Sequence, residues 1–410
     1  MKVLIGDIDL FKVVGGGQAF YRAIVERHPE IEFSYIRISE GPDATRPANA
    51  HPIDFKEPYR PDESILPNRA FTYNAFRFSC NMAASVAGEA FDLVDLPDYR
   101  VDTGFLRPAM EAHSVGFERF AISMHGLSSI GYRNNWPCRE PDPAIPQMEA
   151  LEQHMFESAD LRYAISEAYI DWSRGRCPGL AFQYYHPLYF FKLPEVIEQD
   201  PGGGPPDLNF LGRRAGIKGA DLFLKLLVAL PRSAYGSARI MGDDVKNSEG
   251  TPSGAVLGPL MEGRDLGVEI TGAYTKHDLR RVWGERSITV LTSRWDTLNL
   301  VALESLFSGV PTVISRHAGA CRFLDEAFPS VPYTRIDPFD SSESARLVTP
   351  LLSGYDRARA DLLAGLERAD RRPSGLELPA IYGQPPSFSA AGREALCRAY
   401  DRLFERQPKP

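Results

Sequence analysis

Cysteine is scarce in this sequence of 410 residues: there are five, an odd number, and no two stand in C-x-x-C spacing. Disulfide frameworks need paired cysteines and structural zinc sites need closely spaced ones, so neither is expected. Membrane-spanning helices need about 18 or more consecutive apolar residues, and no stretch approaches that length. Asp7 and Asp9 stand where a secretory signal needs an apolar segment. We therefore expect reduced thiols, no transmembrane segment and a cytoplasmic location.

A basic surface is lacking as well. The formal net charge is −8, from 46 basic and 54 acidic residues, and it is unevenly spread. Residues 1–200 hold 19 Lys and Arg against 29 Asp and Glu, a net charge of −10, whereas residues 201–410 carry +2. Proteins that bind nucleic acid need a basic surface to neutralise phosphates. The sequence therefore predicts no nucleic-acid partner.

The composition is otherwise that of a folded globular protein, with 43% hydrophobic and 24% charged residues. A length of 410 residues predicts two or three domains. Residues 200–206 contain three glycines and three prolines, a composition typical of a linker. On both sides of this linker, short apolar runs alternate with helical patterns. The chain is thus expected to form one domain over residues 1–190 and another over residues 207–387.

The apolar runs predict a parallel, doubly wound sheet in each half. The predicted strands are residues 3–5, 33–38, 93–96, 120–124 and 163–165 in the first half, and 208–211, 238–241, 268–270, 288–291 and 312–314 in the second. An amphipathic helix is expected at the C-terminus, within residues 388–406. The fold class is therefore α/β, with two Rossmann-like domains facing a cleft, which is the default binding site of such folds.

A glycine-rich turn is the first candidate for binding. Gly15, Gly16 and Gly17 follow the first predicted strand and precede a predicted helix at residues 18–27. Glycines let the backbone approach a ligand closely, and a helix N-terminus presents N–H groups to an anion. The spacing is not the G-x-G-x-x-G of dinucleotide-binding proteins. The turn is therefore either an anion-binding loop or a merely flexible connection.

Two cations and two carboxylates follow predicted strands of the second half. Arg213 ends one strand and Lys218 precedes the next helix, so both side chains can converge on a diphosphate. Asp296 stands at the mouth of a predicted helix and Glu304 about two turns into it. A carboxylate accepts hydrogen bonds from a sugar diol, and backbone N–H groups at residues 298–300 can bind a phosphate. Taken alone, each pair is more often ordinary surface charge.

Histidine occurs at one position where catalysis is common. His125 follows a predicted strand, and such a histidine can hydrogen-bond a substrate hydroxyl or a reacting group, although a lone histidine is as often structural. The adjacent acids Asp243 and Asp244 are typical of a turn or helix cap. His186 and His317 lack partners at zinc spacing. We therefore predict neither a bound metal nor a cofactor.

Together these residues resemble the retaining glycosyltransferases of family 4, which have the GT-B fold. The run from Ser293 to Val313 is similar to the family signature of an acid, seven residues, a glutamate, a small-residue helix and Gly-Val-Pro. The spacing from Arg213 to Lys218 is similar as well. The likeness spans nearly the whole chain and is most specific over residues 208–320.

The resemblance implies a metal-independent enzyme that moves a hexose-type sugar from a nucleoside-diphosphate donor, a UDP- or GDP-sugar, to a hydroxyl of a glycan, glycolipid or small molecule. Arg213 and Lys218 would bind the donor diphosphate and stabilise the leaving nucleotide. Asp296 would contact sugar hydroxyls, and His125 would touch the sugar at the reacting centre. The rest of the donor would be held by Gly16, Gly17, Gly272, Tyr274, Leu298, Asn299, Leu300, Val301 and Glu304. The C-terminal helix would cross back onto the first domain.

The sequence departs from the family pattern at four places. Asp296 stands where a glutamate is usual and is one methylene shorter, and Asn299 stands where a glycine is usual, so that its side chain would intrude. Residues 318–322 replace a Gly-Gly stretch, and residues 185–187 replace an Asn-Gly stretch. These differences bear on the donor sugar more than on the reaction class.

Two alternatives stay open: a nucleotide-sugar 2-epimerase of the same fold, and a non-catalytic partner subunit that binds nucleotide sugars. The acidic first half favours a neutral sugar acceptor over a strongly anionic one. The aromatic stretch at residues 132–136 is either part of an acceptor groove or a surface loop. Peripheral membrane contact and the oligomeric state are left open by the sequence.

Overall fold

The computed structural model describes residues 1–12, 15–41, 46–60, 70–134, 144–200, 202–246 and 250–404, without the side chains of Ala70 and Phe404. Within it the chain divides into two compact units. The first unit contains Met1–Ile130, Glu140–Phe191 and Pro373–Pro410, and the second contains Gly131–Arg139 and Lys192–Arg372.

A seven-stranded parallel sheet forms the centre of the first unit. Its strands are β1 (Lys2–Ile8), β2 (Glu32–Arg37), β3 (Ala50–Asp54), β4 (Ala90–Pro97), β5 (Gly116–Met124), β6 (Leu161–Ala164) and β7 (Gln183–Tyr184), in the spatial order β3-β2-β1-β4-β5-β6-β7. The helices of residues 1–191 are α1 (Gly16–Arg27), α2 (Ala70–Ser85), α3 (Leu106–Ala112), α4 (Ser128–Asn134), α5 (Ala144–Ser158) and α6 (Glu167–Arg176). Val3, Leu4 and Ile5 of β1 are all buried, because a strand covered on both faces needs consecutive apolar residues.

The second unit repeats this architecture around a six-stranded parallel sheet. Its strands are β8 (Asp207–Leu211), β9 (Ala238–Met241), β10 (Val268–Thr271), β11 (Ser287–Leu291), β12 (Thr312–Ser315) and β13 (Thr334–Ile336), in the spatial order β10-β9-β8-β11-β12-β13. Its helices are α7 (Ala220–Ala229), α8 (Gly254–Met261), α9 (Lys276–Gly284), α10 (Leu300–Phe307), α11 (Gly319–Ala327), α12 (Ser341–Ser353) and α13 (Tyr355–Arg368). Leu208, Phe210, Ile288 and Val290 lie in one apolar core with the inner face of α7.

The C-terminal segment returns to the first unit with the helices α14 (Leu378–Tyr382) and α15 (Ala390–Phe404). Arg393 of α15 donates to the Asp160 carboxylate at 2.6 Å. Tyr382 of α14 donates to the buried carboxylate of Asp95 at 2.5 Å. The predicted return of the C-terminal helix to the first domain is thereby confirmed.

Both sheets confirm the predicted α/β class with two Rossmann-like domains, and each predicted strand overlaps an observed one. Several elements were not predicted because they carry proline. Pro52 lies in β3, an edge strand in which a missing N–H is tolerated, and Pro259 and Pro350 lie inside α8 and α12. Tertiary packing overrides the local signal at these positions.

Four of the five cysteines lie in the part of the chain that the structure describes. Cys80, Cys177, Cys321 and Cys397 are free thiols there, and Cys138 lies outside the described residues. Among the described helices, none combines the length and apolar character needed to cross a membrane.

In each sheet the strand order reverses beside the first strand of the unit. β1 lies between β2 and β4, and β8 lies between β9 and β11. Doubly wound sheets bind ligands outside the carboxyl ends of their strands at such a reversal. Gly16 follows β1, Lys218 follows β8 and Asp296 follows β11, so the predicted residues stand at this point in each unit.

Candidate active site

Two loops of the second unit are joined at the carboxyl edge of its sheet: one follows β8, and the other follows β11. The Arg294 amide donates to the Ile217 carbonyl at 2.8 Å, and the Thr292 hydroxyl donates to the Gly219 carbonyl at 2.7 Å. Gly219 is left-handed with φ 77°, and a Cβ there would lie 2.1 Å from the Thr292 carbonyl oxygen. Only glycine satisfies both conditions, so Gly219 allows the two loops to meet.

A buried ion pair locks the same two loops. The Arg294 guanidinium donates to both carboxylate oxygens of Asp221, at 2.8 and 2.6 Å, and to the Gly216 carbonyl at 2.6 Å. The two side chains are only 12% and 7% exposed. A bidentate arginine–carboxylate pair fixes orientation as well as distance. Arg294 and Asp221 therefore set the spacing between the loop that carries Lys218 and the loop that carries Asp296.

Lys218 and Asp296, two of the predicted donor contacts, lie directly against each other. The Lys218 ammonium donates to Asp296 Oδ2 at 2.6 Å, and the Ser293 hydroxyl lies 3.4 Å from the same oxygen. Their side chains are 30% and 12% exposed. The carboxylate predicted to contact sugar hydroxyls therefore neutralises the lysine predicted to bind the diphosphate.

Arg213 and Arg214 are neighbours with different environments. Arg213 is exposed and makes neither a hydrogen bond nor an ion pair with the described residues. The Arg214 guanidinium donates to the Gly242 and Thr271 carbonyls, each at 2.7 Å, and is structural. Arg213 is therefore the cation of this loop that is available to an anion.

Helix α10 begins at Leu300, two residues later than the earliest predicted start, and Asn299 caps it with φ 67°. Glycine, which is usual at this position in the family, adopts this left-handed conformation without strain. Asparagine tolerates such angles better than other side chains do. Leu298 is 2% exposed, so its side chain belongs to the core and only its backbone can meet a ligand. The Ala302 amide donates to the Asn299 carbonyl at 3.1 Å, whereas the amides of Leu300 and Val301 have no acceptor among the described residues. A helix therefore starts where the sequence predicted one, and anion binding there stays a prediction.

A small cavity of about 40 Å³ lies beside this helix start. It is lined by Phe210, Leu211, Gly212, Lys218, Leu291, Ser293, Asn299 and Val301. The structure therefore brings the predicted residues Lys218, Asn299 and Val301 to one cavity, and the Asn299 side chain borders it, as the sequence suggested.

Glu304 lies about one turn into the same helix, not two as predicted, and its charge interacts with Lys276 and Tyr274, which follow β10. Burial raises the pKa of the Glu304 carboxyl above its ordinary value, and the charge of Lys276 opposes that shift. Burial and, secondly, the charge of Glu304 raise the pKa of Tyr274 to about 12. Gly272 is exposed, with open space around its Cα. Glu304 and Tyr274 are thus electrostatic neighbours.

The glycine turn of the first unit sits over a buried acid. Asp7 accepts from Gln18 at 2.7 Å and from the Tyr99 hydroxyl at 2.6 Å. A Cβ on Gly17 would lie 2.1 Å from that hydroxyl, whereas a Cβ on Gly16 would meet no described atom within 4 Å. Packing against the described residues therefore explains the glycine at 17 but not the glycine at 16.

His125 follows β5 and is held through its backbone. The amides of His125 and Gly126 donate to Asp98 Oδ1 at 2.8 and 2.9 Å, and the Tyr169 hydroxyl donates to Asp98 Oδ2 at 2.6 Å. The imidazole packs edge-on against Phe20, with 4.4 Å between ring centroids. Burial lowers the pKa of His125 to about 3, so the ring is neutral near pH 7. It can therefore exchange hydrogen bonds with a sugar without adding positive charge.

Sequence reasoning missed four residues that hold these sites in place: Asp7, Asp98, Asp221 and Arg294. Each is buried or nearly so and acts through a residue that was predicted. Their partners are distant in the chain, so the sequence carries no local signal for them. The stretch at 132–136 is described only as far as residue 134, and the rest of it lies outside the described residues.

The adjacent acids that were predicted to form a turn have structural partners. Asp244 Oδ1 accepts from the Ser253 amide at 2.9 Å, and the Asp243 carbonyl accepts from the Arg214 amide at 2.7 Å. Among the described residues, no group of three or more His, Cys, Asp or Glu side chains is placed to hold a metal ion.

Comparison with known proteins identifies a family. A model described as "Family 4 Glycosyltransferase in conflict systems" matches residues 138–369, which is more than half of the chain. Mannosylfructose-phosphate synthase of Agrobacterium fabrum is 29% identical over 145 residues. That match covers 32% of this chain and 30% of the synthase, so the chain matches less than a third of that relative's length.

Solved structures share the fold over almost the full length. Sucrose-phosphate synthase from Thermosynechococcus elongatus has a TM-score of 0.66 at 16% identity, over 98% of this chain and 99% of that one. The Anabaena protein Alr3699/HepE, solved with UDP and glucose, has a TM-score of 0.62 at 14% identity, over 98% of this chain and 100% of that one. At these identities the likeness shows the shared fold, and the predicted GT-B fold is confirmed.

Proposed function

Because the chain belongs to the family 4 glycosyltransferases in conflict systems, we propose that it moves a hexose-type sugar from a nucleoside-diphosphate donor to a hydroxyl group, with retention at the anomeric carbon. The observation that carries this proposal is the set of groups at the carboxyl edge of the second sheet. Lys218 and Asp296 lie 2.6 Å apart there, Arg213 is exposed and unpaired among the described residues, and α10 starts beside them.

The diphosphate would be bound by the loop after β8 and by the start of α10. Arg213 offers a planar fork of donors, Lys218 offers a compact charge, and the first amides of α10 offer N–H groups. Cations that are already in place stabilise the charge that develops on the leaving phosphate. We therefore propose that these groups serve the reaction without a metal ion.

The nucleoside would lie between α10 and the loop after β10. The half-buried carboxylate of Glu304 suits a ribose, because two vicinal hydroxyls can each donate to one of its oxygens. Gly272 leaves open space for a ring, and Tyr274 lies beside Glu304. This arrangement supports binding of the ribose and base on the side of Glu304 and of the phosphates on the side of Lys218.

The proposed step breaks the bond between the anomeric carbon and the phosphate oxygen and forms a bond from that carbon to the acceptor oxygen. The acceptor proton passes to the leaving phosphate, so no protein nucleophile is needed. Attack from the face of the leaving group retains the configuration. The neutral His125 would hydrogen-bond the donor sugar, and Gly16 and Gly17 would let the backbone approach the phosphates.

The identities of the donor and the acceptor rest on separate observations. We propose a UDP- or GDP-sugar as donor; Alr3699/HepE was solved with UDP and glucose, which is a property of that protein. The net charge of −10 in residues 1–200 favours a neutral acceptor, such as a hydroxyl of a glycan, glycolipid or small sugar.

The test begins with a thermal-shift screen of UDP, GDP, ADP, CDP and dTDP and their sugars, because a ligand that binds only the folded state raises the midpoint. Sugar transfer is then measured with the donor that binds. Lys218→Met should lower the transfer rate about 100-fold or more. Glu304→Gln should weaken donor binding about tenfold, because it replaces a charged hydrogen-bond acceptor.

A matched control is Lys225→Met, which removes the same charge from an exposed position on α7. It should leave transfer within twofold of wild type. Wild-type turnover by Lys218→Met, or an equal loss in Lys225→Met, would contradict the proposed role of Lys218.

A further inference from the structure

Resting on the proposed function, we infer that Asp296 competes with the donor diphosphate for Lys218, so that the site favours a sugar nucleotide over the bare nucleoside diphosphate. The sugar's hydroxyl groups replace Lys218 as partners of the Asp296 carboxylate and release the lysine for the phosphates. After transfer, no sugar hydroxyl binds Asp296, and its ion pair with Lys218 forms again. The affinity of the site for the remaining diphosphate therefore falls.

The ion pair itself is the first support. At 2.6 Å, the Lys218 ammonium is in hydrogen-bond contact with Asp296 Oδ2, and this is its one polar contact with the described residues. A carboxylate 12% exposed interacts with its partner more strongly than a surface carboxylate does, because water screens it less. A diphosphate that approaches Lys218 therefore meets the negative charge of Asp296 at the same place.

The second support is that the backbones that carry the two groups are held in place. Asp296 is fixed through its backbone: its amide donates to the His317 carbonyl at 3.2 Å, and its carbonyl accepts from the Gly319 amide at 3.0 Å. The loop of Lys218 is tied to the loop of Asp296 by the pair of Arg294 and Asp221. Only rotation of the two side chains can separate the charges, and the short aspartate side chain has little reach.

The third support is the contrast with Arg213. This arginine is exposed and has no partner among the described residues, so it attracts any phosphate, with or without a sugar. Lys218 is neutralised until Asp296 is offered another partner. A sugar hydroxyl is such a partner, because it donates a hydrogen bond to a carboxylate and carries no negative charge. Lys218 and Asp296 therefore distinguish the sugar nucleotide from the free diphosphate, whereas Arg213 attracts both.

The experiment measures affinities by calorimetry for two ligands of one base: the free diphosphate (UDP, GDP or ADP, whichever binds wild type) and its hexose derivative. Asp296→Asn removes the competing charge with almost no change in shape. We expect this variant to bind the free diphosphate about fivefold more tightly than wild type, the size of one partly exposed charge pair. Its preference for the sugar nucleotide over the free diphosphate should fall.

The double variant separates the pair from a general charge effect. In a Lys218→Met background, Asp296→Asn should leave affinity for the free diphosphate within twofold, because the charge for which it competes is gone. The matched control Asp356→Asn removes a negative charge from the same unit, where Asp356 pairs with Arg286 just before β11, at the opposite edge of the sheet. It should bind the free diphosphate as wild type does.

The outcomes separate the two proposals. If wild type binds none of these nucleotides or sugar nucleotides, the proposed function fails and this inference fails with it. If wild type binds them but Asp296→Asn binds the free diphosphate no more tightly, the inference alone is wrong. Equal tightening in Asp356→Asn or in the Lys218→Met background also overturns it. Should Asp296→Asn fail to fold, Asp296→Ser gives the same comparison.

Discussion

Three consecutive glycines before and within the first turn of α1 meet three different environments. Gly17 lies against the Tyr99 hydroxyl, which is held in turn by Asp7, so a side chain there must displace the half-buried Tyr99 ring. A Cβ on Gly15 would meet only the end of the flexible Gln18 side chain. A Cβ on Gly16 would point into space that no described atom occupies. Of the three, Gly16 is the glycine that a bound phosphate would require.

Alanine substitutions should therefore separate packing from binding. Gly17→Ala should lower the free energy of unfolding by about 1–3 kcal/mol, because it overpacks the contact with Tyr99. Gly16→Ala should leave that free energy unchanged or slightly higher, since alanine suits a helix better than glycine does. Its effect should appear as a raised KM for the donor. Denaturant unfolding and donor titration measure the two effects.

The opposite pattern, a destabilised Gly16→Ala with normal kinetics, would show that the turn is not a ligand contact. The control is Gly131→Ala, which adds a methyl group within helix α4 where no described atom lies within 4 Å. Gly88 has a positive φ, so an alanine there would be strained and could not serve as a control. Gly131→Ala should leave unfolding within about 0.5 kcal/mol of wild type, or slightly stabilise the protein.

Single residues also show how far sequence reasoning reaches. Asn299 stands where the family usually has a glycine, and its φ of 67° shows why so few residue types fit there. Arg213 and Lys218 could be placed after one strand because the strand and the spacing are local. The contact between Lys218 and Asp296 could not be predicted, because it joins residues 78 positions apart through the packing of two loops.

At the scale of elements, one ion pair holds the start of α7 against the loop after β11. Asp221 in the first turn of α7 holds Arg294, and Arg294 also holds the Gly216 carbonyl. The pair thus connects the element that follows Lys218 with the loop that carries Asp296. Loss of this pair should change the site without touching any residue that meets the donor.

Asp221→Asn keeps the volume and removes the charge that neutralises Arg294. It should lower the free energy of unfolding by about 1.5–3 kcal/mol, the range for a hydrogen bond to a charged group. Donor affinity should fall as well, because Lys218 and Asp296 lose their fixed spacing. Both quantities are measured, by denaturant unfolding and by calorimetry with the donor.

The exposed pair of Asp370 and Arg372 provides the comparison within the same unit. Asp370→Asn should leave stability and affinity nearly unchanged, because an exposed pair contributes little. If Asp221→Asn reduced stability but left donor affinity at the wild-type value, the pair would be a structural contact only.

The elements that could be predicted share one property. Strands such as β1 and β11 are short, continuous apolar runs, and burial on both faces leaves that signal in the sequence. Helix α2 (Ala70–Ser85) was not predicted, because its aromatic, Ser and Asn residues are weak helix formers and its apolar residues do not follow one stripe. Its stability comes from packing within the first unit, which no local pattern records.

At the scale of the whole molecule, the net charges of the two halves indicate less about binding than the positions of single cations do. The second half carries a net charge of only +2, yet Arg213 and Lys218 both follow β8 at the reversal of strand order, the place where doubly wound sheets bind ligands. Placement of cations therefore matters more than their sum. Fold and family could be inferred from the sequence because motif spacing preserves them, whereas the roles of the donor-side residues stay predictions. The acceptor could not, because the first half has no comparably specific motif.

The measurement that tests the central claim most directly follows the anomer of the transferred sugar. Wild-type enzyme is incubated with the hexose nucleotide selected by the thermal-shift screen, and proton NMR records the sugar released to water or transferred to an acceptor before mutarotation. Transfer with retention predicts that the first product has the anomeric configuration of the donor. A first product of the opposite configuration, or a hexose that remains on its nucleotide, would contradict the account.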